Sequence, residues 1–131
     1  MHTWARHYQH AWEERSGNPR FPMWLRVASL ALGKHKANGH AVFRPGEIAL
    51  ALTTVDLDTG ELHQPDRRGV RRAITTAIDY GFLSTGSRST CLVVPRHAVE
   101  GGWGGEASTP CPVHDKKATK PLRRIASVIT Q

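Results

Sequence analysis

An α+β fold, mainly helical, is what this chain of 131 residues predicts. Three observations carry that expectation. Apolar residues recur every three or four positions through 23–32 and again through 70–78, the period of a helix buried on one side. The runs Phe82-Leu83-Ser84 and 89–94 are short and β-prone, and Thr85-Gly86-Ser87-Arg88 between them has hairpin composition. Hydrophobic residues make up 39% of the chain and charged residues 22%, which is ordinary for a folded domain rather than a disordered one.

The elements follow in order. Residues 3–15 read as a helix with an aromatic stripe, Trp4, Tyr8 and Trp12, and with Thr3 as N-cap. Ser16-Gly17-Asn18-Pro19 ends it. The stripe is a packing face or a dimer contact. A second helix follows Pro22, with Trp24, Val27, Ala28 and Ala31 on one face and Gly33 or Gly39 as its stop. Residues 40–44 are β-like and end at Pro45-Gly46. A third helix runs over 46–52, burying Ile48, Ala51 and Leu52. A connector, 53–65, holds the turn-like run Asp56-Leu57-Asp58-Thr59-Gly60.

The fourth helix, 66–81, is the most informative. At about 100° per residue, Val70, Ile74 and Ala77 form a buried side. Arg68, Arg72, Thr75 and Asp79 lie opposite, with Arg71 on the flank and Gly81 as the stop. The two short strands come next, and Pro95 ends the second. The rest of the chain is rich in glycine and proline, with a basic stretch at 115–120 and either a short helix or no regular structure at 122–129. The expected divisions are therefore an N-terminal helix packing on the core (1–20), a central domain (21–95) and a loop-rich extension with a basic tail (96–131).

Helix, short strand, helix, connector, basic helix, hairpin is the element order of a winged helix-turn-helix with a two-stranded wing. The chain carries a formal charge of +7, and four arginines gather at the start of the fourth helix. A helix is narrow enough for the major groove, and arginine can grip guanine O6 and N7 with both arms of its fork. Arg68, Arg71, Arg72 and Thr75 are the expected contacts, Arg67 and Gln64 reach the flanking backbone, and Arg88 sits at the wing tip. Asp66 and Asp79 offer the plainer alternative, a solvated face of weak helical ion pairs.

The stretches Trp24-Leu25-Arg26-Val27-Ala28, Gly39-His40-Ala41 to Pro45-Gly46-Glu47, the Arg-rich helix ending Tyr80-Gly81-Phe82-Leu83, and Cys91-Leu92-Val93-Val94-Pro95 resemble small winged helix-turn-helix DNA-binding proteins of actinobacterial phages and their integrated elements. The resemblance spans residues 24–114. It implies a winged helix-turn-helix and a DNA-binding role; together with the arginine face, a double-stranded DNA-binding regulator is the expected function.

Cys91, His97, Cys111 and His114 form C-x5-H-x13-C-x2-H, a candidate set for one structural zinc. The alternative is a buried Cys91 with surface histidines. His2, His7 and His10 read as surface residues, and His35, His40 and His63 as isolated ones. No phosphate-binding loop, zinc-protease or serine-hydrolase signature is present, and the eleven carboxylates are dispersed, so no enzyme and no small-molecule substrate are expected. No apolar run is long enough for a membrane span and the first ten residues lack a signal core, so a cytoplasmic protein is expected, in the host bacterium if phage-encoded. A monomer and a homodimer are equally compatible with the pattern. The competing reading is a winged-helix interaction module that docks a host replication or transcription factor through the aromatic stripe.

Overall fold

The computed structural model describes residues 5, 7–99 and 101–115. Among them are four helices and two small antiparallel sheets of two strands each. In chain order these are α1 (Gln9–Ser16), α2 (Met23–Lys34), β1 (His40–Val42), α3 (Glu47–Ala51), β2 (Thr54–Val55), β3 (Leu62–His63), α4 (Arg67–Asp79) and β4 (Cys91–Val93).

α2 is the centre of the core. Val27, Ala28, Leu30 and Ala31 are buried against Ile48 and Leu52 of the α3 segment, Val70, Ala73, Ile74 and Ala77 of α4, and Ala41 and Leu92 of the first sheet. Ala51, expected inside, is exposed; Ala49 packs on the core instead. α4 has a cap at each end. The Asp66 carboxylate accepts from the Gly69 N–H at 2.7 Å. At the other end the Phe82 N–H donates to the Ala77 carbonyl and the Gly81 N–H to that of Ile78, with Gly81 at φ +82°, a Schellman ending. That ending sets Tyr80 and Phe82 against the Trp24 ring, at centroid distances of 4.7 and 5.3 Å.

α1 begins at Gln9 rather than Thr3, whose expected capping role lies outside the described residues, as does Trp4. Tyr8 precedes the helix and is 84% exposed, so it joins no aromatic stripe with Trp12. Trp12 is half-buried beneath the Arg15 guanidinium, 4.5 Å from its ring centre. The helix is anchored by polar residues. The Gln9 side-chain amide donates to the carbonyls of Leu32 and His35, and Glu13 lies against Gly33. Gly33, one of two expected stops for α2, is inside that helix, and a Cβ there would sit 2.7 Å from Glu13 Cγ. Its smallness lets α1 approach.

The loop around Trp103 also closes the end of α2. Trp103 Nε1 donates to the Gly33 carbonyl at 2.6 Å and its backbone N–H to that of His35 at 3.0 Å. The last carbonyls of a helix have no partner within it, and here α1 and this loop supply them. Arg26 does the same for two other helices. Its side chain is buried, with Nε donating to the Ser16 carbonyl at 2.7 Å and Nη1 to the Leu52 carbonyl at 3.2 Å. These are the ends of α1 and α3, where a cation is favoured.

Two further elements differ from the sequence expectation. The connector at 53–65 is a hairpin, β2 on β3, closed by the Asp56 side chain, which accepts from the N–H groups of Asp58 and Thr59. Phe82-Leu83-Ser84 is not a strand, because Phe82 and Leu83 complete the end of α4. β4 pairs instead with β1, in the register His40↔Val93, Ala41↔Leu92, Val42↔Cys91. Ser84 keeps one link to β4, its N–H donating to the Val93 carbonyl at 2.8 Å.

Candidate metal centre and basic helix face

The first sheet has two unlike faces. Ala41 and Leu92 point into the apolar core, as alternation along a strand requires. His40 and Cys91 belong to the other face as diagonal neighbours across the strands. The turn containing Cys111 and His114 covers that face, and both cysteines are fully buried beneath it.

These four side chains form one cluster. His40 Nδ1 lies 3.4 Å from Cys91 Sγ, Cys91 Sγ lies 3.6 Å from Cys111 Sγ, and Cys111 Sγ lies 3.5 Å from His114 Nδ1. All four ligand atoms fall within 4.8 Å of one another. The sulfur separation is far too long for a disulfide, and both thiols are free. A tetrahedral zinc, with bonds of about 2.3 Å to sulfur and about 2.0–2.1 Å to nitrogen, holds its ligand atoms about 3.3–3.8 Å apart. The three measured edges are of that size.

The groups around the cluster suit an ion too. His114 Nε2 is hydrogen-bonded to the Gly86 carbonyl. A carbonyl only accepts, so Nε2 carries the proton and Nδ1 presents its lone pair to the cluster. Metal-bound histidines are usually oriented in this way. The Asp115 carboxylate accepts from the Cys111 N–H at 2.6 Å and adds negative charge nearby. Burial pushes the Cys91 thiol well above its ordinary range, and the Cys111 thiol beside it adds to the shift. Burial first, then His114, holds His40 below the usual histidine value. Without an ion, Cys91 and His40 are thus each driven toward the neutral form.

His97, the fourth residue of the expected zinc set, is exposed and outside the cluster; His40 stands in its place. His97 follows Pro95, past the end of β4, where nothing directs it back toward Cys91. In the sequence His40 looks isolated, because its nearness to Cys91 comes from pairing two strands about fifty residues apart, for which spacing along the chain gives no signal.

The basic face lies on α4. Val70, Ala73, Ile74 and Ala77 are its buried side, and Arg67, Arg68, Arg71, Arg72 and Thr75 are all exposed, as is Gln64 before it. Among the described residues none of these guanidinium groups has a carboxylate within ion-pair distance. Of the two expected partners, Asp66 is occupied as the helix cap and Asp79 makes no ion pair among the described residues. Arg88 is exposed, and its backbone exchanges two hydrogen bonds with Cys91, at 2.7 and 3.1 Å.

No protein-family model, curated protein or solved structure matches the chain.

Proposed function

We propose that this protein binds double-stranded DNA as a winged helix-turn-helix regulator; the fold and the DNA binding are what its resemblance to phage-encoded proteins implies. The observation that carries this reading is the face of α4, where four exposed arginines have no carboxylate partner among the described residues. Such a face offers donors to phosphates and guanine edges without first breaking internal ion pairs. The order of α2, β1, α3 and α4, with β4 paired to β1, supports the winged-helix part of the reading. The turn at 84–90 takes the place of a wing and presents Arg88 to the neighbouring backbone. The test is fluorescence anisotropy of a labelled mixed-sequence duplex at several salt concentrations. Binding that weakens steeply with salt is expected, because arginine–phosphate contacts release counterions. No binding at low salt refutes the reading.

The second part of the proposal is that His40, Cys91, Cys111 and His114 hold one structural zinc ion. The donor set and its tetrahedral edges support zinc over harder, oxygen-seeking cations. Metal analysis of untagged protein should find one zinc per chain; a substoichiometric amount after mild dialysis sinks the idea.

A further inference from the structure

The metal cluster and the turn that carries Arg88 are joined at two points. Cys91 is a cluster residue, and both of its backbone groups pair with those of Arg88. His114 is another, and its Nε2–H reaches the Gly86 carbonyl. The ring lies against the turn: a Cβ added at Gly86 would be in ordinary contact with it, 3.7 Å from that nitrogen. Between the two points, Ser87 Oγ accepts from the Val93 N–H at 2.9 Å. The turn is therefore fixed to β4 along one side and to the His114 ring on the other. His114 lies in a turn closed by two hydrogen bonds between Cys111 and Asp115, and its ring packs edge-on against His40 at 4.9 Å; a bond from Nδ1 to an ion would lock the ring in that orientation.

From this geometry we infer that His114 is a positioning residue for duplex binding: once metal-bound, it holds the 85–88 turn so that Arg88 faces the nucleic acid. The inference rests on the duplex-binding reading and deepens it. Metal occupancy and DNA affinity are then coupled through one hydrogen bond. When the ion leaves, the ring keeps only its edge-on contact with His40 and its hydrogen bond to Gly86, so the outer side of the turn is held less firmly while its pairing with Cys91 persists. The contacts from α4 do not depend on this link. Metal loss therefore weakens binding without abolishing it.

The test is a cycle of variants measured by anisotropy with a mixed-sequence duplex. His114→Cys keeps four metal ligands, since three cysteines and one histidine also form a zinc set, but cannot reach Gly86. It should retain one zinc per chain and bind DNA about tenfold more weakly, as Arg88→Ala should. The salt slope of each variant should be shallower by about one unit, the signature of one lost phosphate contact. The double variant should bind no more weakly than either single one, because both remove the same contact. The parent stripped of zinc by a chelator provides the same comparison without a ligand substitution. There Arg88→Ala should cost less, and added zinc should restore the difference. Parent-like affinity in zinc-loaded His114→Cys, or an equal cost of Arg88→Ala with and without zinc, overturns the inference. A zinc-loaded parent that binds no duplex overturns the DNA reading as well, and so is told apart from a parent that binds but is indifferent to its metal.

Discussion

Replacing Arg26 by Met tests how the helices are joined. Arg26 is only 3% exposed, and among the described residues no carboxylate pairs with it; its guanidinium donates to the Ser16 and Leu52 carbonyls. Burial lowers its pKa, yet an arginine has so high a starting value that the group remains charged. Methionine fills similar space but donates nothing. Two carbonyls at the ends of α1 and α3 would lose their donor, at about 1–3 kcal/mol each when left dry. Relief of the buried charge offsets part of that cost. The expected net loss is about 2–4 kcal/mol, a large share of the ~5–15 kcal/mol that holds a typical domain together. With a urea m-value of about 1.5 kcal/mol/M, the unfolding midpoint should fall by roughly 1–3 M at constant m. Arg26→Lys keeps the charge but cannot span both carbonyls, and should fall between parent and Met. A Met variant as stable as the parent would refute the argument, since the guanidinium would then cost as much to bury as its hydrogen bonds return.

Other consequences are open to measurement. Arg68→Ala combined with Arg71→Ala should weaken duplex binding at least tenfold, and should lower the salt slope by about two units if both residues touch phosphate rather than bases. His40→Ala should lose zinc while His97→Ala keeps it; metal analysis of the two proteins decides between the cluster described here and the spacing-based set. Hydrogen bonds from the Asp58 and Thr59 N–H groups hold the Asp56 carboxyl below its ordinary value of 3.8. Its contribution to the β2–β3 turn is fully present above that value and is lost as pH falls through the lower folded-state value. Amide shifts of residues 56–60 in an acid titration should report that loss, and Asp56→Asn, which keeps the oxygen acceptor, should remove the pH dependence.

Local pattern and remote pairing were unequally legible in the sequence. α4 was readable in full, because its buried residues, its stop at Gly81 and its exposed arginines all lie within sixteen consecutive positions. α2 was readable for the same reason, except at Gly33, which looks like a stop and is in fact the point where α1 crosses. The β2–β3 hairpin was hidden by strands of two residues, too short to show alternation, although the Asp56–Gly60 turn itself was visible. Three of the four residues of the candidate metal cluster were legible. Cys91, Cys111 and His114 stand out by residue type, whereas His40 is identified only by the pairing of β1 with β4. As a packing face the aromatic stripe does not hold at Tyr8, which is exposed, for a physical reason: α1 is held by Gln9 and Glu13, and apolar periodicity does not register polar anchors.

The pairing of β1 with β4 has a consequence for how the molecule is made. Residues 40–42 wait for 91–93, and the end of α2 waits for Trp103, 70 positions beyond Gly33. Closing such distant contacts is the slow part of folding, since the chain must give up its freedom before those contacts form. During synthesis from the N-terminus, α1, α2 and α3 are present well before the segments that seal them. Until then Ala41 and its neighbours lie along an open strand edge, a template for joining another chain. The nascent protein is thus most prone to aggregate in the interval between residues 42 and 91, and binding its last ligands would be among the late steps that bring that interval to a close.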